Sequence, residues 1–315
     1  MPWSSKTSTL SRLNRPDPLG SSVVGLDILS ITDPGCPFAW SAEPALAALR
    51  YRYRTSANWR LAMIGLSDDP SVYDKFGFTP TKMAQSFARF SRLYGVPVTT
   101  EVRTRNPATY PACKLVVATR LAEPEREAAV LRALQVAWFT TTDLLDEDDA
   151  LEAAIGGVPE IDAQALVAMA RTDSAVAAAF AEDLEVARSA AGSPTEAQGK
   201  HATAPDGRAR YTAPSLIMTG DNGQSLEAGG FQPLAAYDVV IANVDPTLDR
   251  SATEDALEAI AASQWPLCAA EVASIIAKTP EDADNSAIEA SLIALAGDGK
   301  LIRHAAGNGA FWSLA

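Results

Sequence analysis

Hydrophobic positions change rhythm along the chain, and the changes divide it into segments. Val23–Thr32 (VVGLDILSIT) is a short apolar, β-branched run that predicts a buried strand. The turn Asp33-Pro34-Gly35-Cys36-Pro37 follows, and Ala42–Arg54 then sets Ala45, Leu46 and Leu49 at helical spacing. Trp59–Leu66 (WRLAMIGL) predicts a second buried strand. Strand, turn, helix and strand in close succession imply a βαβ unit with a parallel sheet, and so an α/β fold class. From about Val72 to Gly192 the pattern is helical: Phe76–Tyr94 with a Phe/Leu/Met stripe, then Pro111–Leu121, Arg126–Leu145, Asp162–Ala170 and Asp173–Ala190. Ser193–Arg208 is polar and predicts a loop. Ser215–Thr219 and Gln224–Ala228 flank Gly220-Asp221-Asn222-Gly223, a hairpin signature, and Pro233–Asn243 predicts a further helix.

Past a linker near Asn243–Ser251, helices are expected at Thr253–Ser263, Ala269–Ala277 and Ser286–Ala296. Lys300–Arg303 and Ala310–Ser313 would pair around Gly307-Asn308-Gly309. The division expected is a flexible arm over 1–22, an α/β unit over 23–245 with a helical insertion at about 72–195, and a small unit over 252–315.

Composition narrows the functional classes. The net charge of −13 opposes a nucleic-acid footprint, because phosphate recognition concentrates Lys and Arg. No run approaches the roughly 18 apolar residues that span a bilayer. Met1–Ser22 is rich in Ser and Arg without an apolar h-region, so a secretory signal is not expected. The 3 cysteines, Cys36, Cys113 and Cys268, are widely spaced and form no paired framework, which places the chain in a reducing cytoplasm. The 2 histidines, His201 and His304, lie in different regions and offer no zinc spacing, and no Gly-x-Ser-x-Gly elbow is present.

Candidate chemistry gathers at Cys36-Pro37, where a strand gives way to a helix. Proline is well tolerated at the first helical position, since its missing N–H would be unpaired there anyway. Cys36 then sits at the N-cap, facing free N–H groups and the positive end of the helix dipole. Both favour thiolate over thiol, so a lowered pKa and selective reactivity are expected. A structural cysteine packed as a small hydrophobe is the competing reading.

The octet Asp33-Pro34-Gly35-Cys36-Pro37-Phe38-Ala39-Trp40 resembles the active-site motif of DsbA-like proteins of the FrnE and 2-hydroxychromene-2-carboxylate isomerase branch, commonly Asp-Pro-x-Cys-Pro-aromatic-Cys-Trp. The resemblance implies a thioredoxin fold interrupted by a large helical insertion. It also implies a cis-proline facing the cysteine, and Pro214 in Tyr211-Thr212-Ala213-Pro214-Ser215 is the candidate. Cys36, Pro37 and Pro214 are then the catalytic set, with Phe38, Trp40, Ala213 and Ser215 contacting a small thiol.

Ala39 stands where dithiol members of the family carry a resolving cysteine, so a cycle through an intramolecular Cys-x-x-Cys disulfide is closed to this chain. Three readings stay open. Cys36 forms mixed disulfides with a low-molecular-weight thiol, glutathione or mycothiol, acting as co-substrate; or the site holds such a thiol for isomerase or transferase chemistry, as kappa-class relatives do with Ser in place of the cysteine; or the fold is a non-catalytic protein-binding adaptor. No tightly bound cofactor or metal is expected. A protein thiol or disulfide is an alternative partner, and a homodimer is left open. Phe76, Phe78, Phe87, Phe90 and Tyr94 are either core or the lining of a substrate pocket. Cys113 is either packed or a resolving thiol, and Cys268 is expected in a core.

The last 65 or so residues resemble a winged helix, whose third helix enters the major groove. Here that helix carries only Glu289, and the region from Ser251 on holds 3 basic against 9 acidic residues. Phosphate would repel it, so a packing or protein-contact role is expected.

Overall fold

The computed structural model describes residues 25–279 and 282–315; the arm expected over 1–22 lies outside the described residues, as do Val23 and Val24. β1 (Leu26–Thr32) passes through the Asp33–Gly35 turn into α1 (Pro37–Arg52) and β2 (Ala57–Met63), which pairs with β1 in parallel. α1 begins five residues before the helix expected from periodicity, because Pro37 at its first position presets the backbone and opens it.

The insertion then runs through α2 (Ser71–Lys75), α3 (Pro80–Tyr94), α4 (Tyr110–Ala122), a 3₁₀ turn at Pro124–Arg126, α5 (Glu127–Thr140), α6 (Asp148–Ile155), α7 (Ala163–Thr172), α8 (Ser174–Ala187) and α9 (Pro194–Ala197). A short hairpin of β3 (His201–Thr203) and β4 (Ala209–Tyr211) follows. Several boundaries differ from those expected. α3 starts at Pro80, where the Thr79 hydroxyl accepts the Lys82 N–H. α6 begins inside the acidic run Asp143–Asp149, and its apolar stretch is too short to show a clear helical period. The polar loop expected over Ser193–Arg208 contains α9 and β3, both too short to show a period.

β5 (Ser215–Gly220) pairs antiparallel with β1, and β6 (Ser225–Ala228) extends the sheet to the order β2-β1-β5-β6. α10 (Leu234–Val244) covers one face. Beyond it lie α11 (Ala256–Ala261), β7 (Leu267–Cys268), α12 (Ala269–Ile276), α13 (Asn285–Gly297), β8 (Leu301–Ala306) and β9 (Gly309–Leu314), with strand order β7-β9-β8. β7, two residues long, gave no sequence signal.

α1 is covered on three sides. Leu46 and Leu49 pack with Leu26, Ile28, Leu216 and Tyr237 under the sheet, and Trp40 enters the core of the insertion. Ala47, Ala48 and Tyr51 share a core with Leu267, Val272, Leu292 and Trp312 of the C-terminal elements. Charge crosses the same seam. Arg132 Nη2 donates to Glu271 Oε2 at 2.8 Å, and Nη1 lies 3.6 Å from Glu43 Oε2, which also pairs with Arg50 at 2.9 Å. The C-terminal hairpin docks as well: Asn308 N–H donates to Val98 O at 2.8 Å, and Val98 N–H to Asn308 Oδ1 at 2.9 Å. Gly307, at φ 52°, has no room for a Cβ against the Val98 carbonyl. Among the described residues no helix is long and apolar enough to cross a membrane.

Replacing Arg132 by Met strips buried Glu271 of its cation and leaves Glu43 with Arg50 alone. The expected loss is about 3–5 kcal/mol, read from the urea midpoint of unfolding.

Candidate active site

The site is built on the β1–α1 turn. Cys36 is the N-cap of α1, in extended conformation (φ −81°, ψ 115°); its N–H donates to Asp33 O at 3.1 Å and its carbonyl accepts the Trp40 N–H at 3.0 Å. Gly35 is required by close approach, since a Cβ there would lie 2.6 Å from the Trp138 ring and 2.8 Å from Thr109 Cγ2. Asp33 locks the turn. Its Oδ1 accepts the Gly35 N–H at 2.8 Å, while Oδ2 accepts the Leu66 N–H at 2.9 Å and the Cys113 thiol at 3.4 Å. Burial pushes the Asp33 carboxyl upward, against the pull of the Leu66 and Gly35 N–H groups and the smaller ones of Thr109 and Cys113.

Opposite the turn, the Ala213–Pro214 bond is cis, and the Cys36 thiol donates to Ala213 O at 3.3 Å. Cys36, Pro37, Ala213 and Pro214 are thus brought together, although 177 residues separate Cys36 from Ala213.

The lowered thiol pKa expected from the helix N-terminus is corrected by the tertiary structure. The Cys36 side is only 5% exposed, and desolvation pushes the thiol up to about 12. The Ala39 and Phe38 N–H groups pull it down as the N-cap position requires, Asp33 opposes them, and Arg210 adds a weaker downward pull. Desolvation wins, and the sulfur is held as a thiol at neutral pH.

The four residues expected to contact a small thiol divide. Phe38 is 46% exposed and lies with its ring centroid 5.1 Å from Phe90 and 6.3 Å from Phe231; Tyr94 is 4.9 Å from Phe231. These rings form one aromatic cluster around Phe38, two residues along the chain from Cys36. Ala213 presents its carbonyl to the sulfur. Trp40 faces the other way: it is 1% exposed, stacked on Phe139 at 5.5 Å, with its indole N–H donating to Pro97 O at 2.9 Å. Ser215 is buried too; its hydroxyl donates to Thr212 O at 2.5 Å and accepts the Gly230 N–H at 2.9 Å. With their surfaces taken up by protein, Trp40 and Ser215 frame the site and have none left for a thiol.

The aromatic set also splits. Phe90 and Tyr94 join the Phe38 cluster, Phe87 is core, and Phe76 and Phe78 are exposed. All three cysteines are unpaired and buried. Cys113 gives its hydrogen bond to Asp33, and Cys268, the N-cap of α12, packs into the core of the insertion. Sequence reasoning did not single out Tyr73 or Arg210. Burial, then the Asp33 charge, push the Tyr73 phenol up; burial pulls the Arg210 guanidinium down while Cys36 and Asp33 favour its charge. Neither residue belongs to a recognisable motif. Among the described residues no group of three or more His, Cys, Asp or Glu is placed to hold a metal.

A β2-β1-β5-β6 sheet, with a cysteine at the head of the helix between its parallel strands and a cis-proline entering the next strand, is a thioredoxin fold. No family model and no curated protein matches the chain. Solved structures do. A candidate protein disulfide isomerase from Nitrosomonas europaea aligns over 70% of this chain and 97% of its own, at 18% identity and a TM-score of 0.52. A candidate DsbA oxidoreductase from Streptomyces coelicolor aligns over 70% and 91%, at 16% identity and 0.50. DsbM from Pseudomonas aeruginosa, a cytosolic disulfide reductase, aligns more loosely, over 69% and 99%, at 19% identity and 0.48. The fold is therefore the DsbA-like form of the thioredoxin fold.

The raised thiol pKa has a measurable sign. Alkylation of Cys36 requires the thiolate, so its rate should climb about tenfold per pH unit beyond pH 10, where a free cysteine with pKa of about 8.5 has levelled off. A plateau near pH 8.5 or below would show that the sulfur is not desolvated.

Proposed function

We propose that the chain is a thiol–disulfide oxidoreductase that works with one thiol, Cys36, through mixed disulfides with a low-molecular-weight thiol, glutathione or mycothiol. The observation that carries this reading is the Cys36 sulfur at the N-cap of α1, hydrogen-bonded to the carbonyl that precedes cis-Pro214, with Ala39 in the place of a resolving thiol. Cys36 attacks one sulfur of an incoming disulfide, forming a Cys36–substrate bond and releasing the other sulfur as a thiol that takes up the Cys36 proton. A small thiol then attacks the substrate sulfur of the mixed disulfide. It leaves as the new disulfide and returns Cys36 to its protonated form. Phe38, Phe90, Tyr94 and Phe231 offer the apolar surface on which the substrate lies.

The raised pKa bears on the rate. The thiolate is the attacking species and burial disfavours it, so the first attack waits on removal of the Cys36 proton, and Cys36 in turn leaves slowly from the mixed disulfide.

One feature favours a second reading. A protonated Cys36 is a hydrogen-bond donor, and could serve a bound thiolate as Ser does in the kappa-class transferases and chromene isomerases that the motif resembles.

Intact mass separates the two. On incubation with oxidised glutathione or mycothiol disulfide, the chain should gain one small-thiol adduct, absent from Cys36→Ser and released by excess reduced thiol. Saturable binding of reduced glutathione without any adduct would favour the second reading, and neither adduct nor binding would overturn both. Ala39→Cys should restore an intramolecular disulfide, seen as the loss of two titratable thiols after oxidation.

A further inference from the structure

Building on the one-thiol chemistry proposed above, we infer that Arg210 anchors a carboxylate of the small thiol that exchanges with Cys36. The co-substrate is then a carboxylate-bearing thiol, glutathione rather than mycothiol.

Arg210 lies on β4, three residues before Ala213, whose carbonyl accepts the Cys36 thiol at 3.3 Å. Its neighbours Ala209 and Tyr211 pack in one cluster with Cys36, Leu66 and Ala213. The guanidinium stands close enough to the sulfur for each to act on the other's charge. Arg210 pulls the Cys36 thiol down, and Cys36 and Asp33 favour the charged guanidinium.

That cation is half-buried and has no counter-ion among the described residues. Its Nη1 donates to Tyr211 O at 3.0 Å; Nε and Nη2 donate to nothing among those residues, and both stay accessible. The carboxylates around it are committed elsewhere. Asp206 pairs with Arg188 at 3.1 Å and with Arg208 at 2.9 Å, and Glu185 pairs with Arg208 at 2.7 Å. Asp33 accepts from Gly35, Leu66 and Cys113 beneath the turn. Arginine is seldom removed from water without a partner, and a carboxylate offers two oxygens in the geometry its fork reads.

The position of the anion relative to sulfur narrows the class. Both carboxylates of glutathione lie on residues adjoining its cysteine or on that cysteine's immediate neighbours. Mycothiol, an acetylcysteine joined to an amino sugar, has no carboxylate, and the phosphates of coenzyme A sit at the far end of a long arm. With its sulfur at Cys36, a thiol of the glutathione type brings a carboxylate to Arg210.

Intact mass after rapid quenching, with glutathione disulfide, mycothiol disulfide and bis(2-hydroxyethyl) disulfide as probes, tests the assignment on the full chain. In each reaction Cys36 bonds to one half, and the other half leaves as a thiol with the Cys36 proton. Glutathione disulfide should react at least about tenfold faster than mycothiol disulfide. Arg210→Gln should cut the ratio of the glutathione to the hydroxyethyl rate by about five- to tenfold, and Arg210→Lys, which keeps the charge, by about twofold. The ratio is the readout because loss of Arg210 also raises the Cys36 thiol and slows every disulfide. A single adduct per chain shows that a variant keeps its fold, since Cys113 and Cys268 stay buried. Adducts that form with the ratio unchanged in Arg210→Gln, or at equal rates from glutathione and mycothiol disulfides, would overturn the role of Arg210 and leave the one-thiol reading standing. No adduct from any of the three would remove that reading, and the role of Arg210 with it.

Discussion

The guanidinium of Arg132, held between Glu271 and Glu43 and laid against the rings of Trp40 and Phe311 at 5.0 and 5.1 Å, ties the insertion and the C-terminal elements to α1 at one point. Arg132 comes from α5, Glu43 from α1 and Glu271 from α12. A charge so deeply buried is tolerable only with both partners in place. Its geometry therefore constrains how the three parts meet. Trp40, four residues past Cys36, is pinned from the other side by Phe139 and by the Pro97 carbonyl, and the segment around Pro97 carries the C-terminal hairpin through Val98 and Asn308. The head of α1 is held by this scaffold, and the cysteine sits on it.

That scaffold decides the chemistry of the sulfur. A cysteine at a helix N-cap in water would be a thiolate former, and the Phe38 and Ala39 N–H groups act in that sense here. Covering the turn with the Ala213–Pro214 segment, and placing the Asp33 carboxylate beneath it, reverses the balance. Desolvation of a charged sulfur exceeds what two backbone N–H groups return. The same local motif thus yields opposite pKa shifts depending on how much water reaches it.

Much of the site was legible in the chain because its signals are short-range. Cys36-Pro37 marks a strand-to-helix turn, and Asp33 accepts the Gly35 N–H within it, whereas the close approach that requires Gly35 comes from Trp138 and Thr109, far off in the chain. The resemblance of the octet pointed to Pro214, which no local pattern could have connected with Cys36 across 177 residues. The burial of Trp40 and Ser215 was not legible, because a motif position says nothing about which way a side chain faces. Trp40 turns into the insertion core, and Ser215 into the loop before Gly230. Phe231, an essential part of the aromatic surface, follows two glycines in a stretch without periodicity and carried no signal.

By itself the sequence determined the order of the longer strands and helices, the lone thiol at a helix head and the lack of a resolving partner at Ala39, since these depend on neighbouring residues and on residue identity. Only the tertiary structure decided the protonation of Cys36, the orientation of Trp40 and the burial of Arg132 in a seam shared by α1, α5 and α12. Each of those depends on desolvation, and desolvation is set by segments distant in the chain that fold together over the group in question.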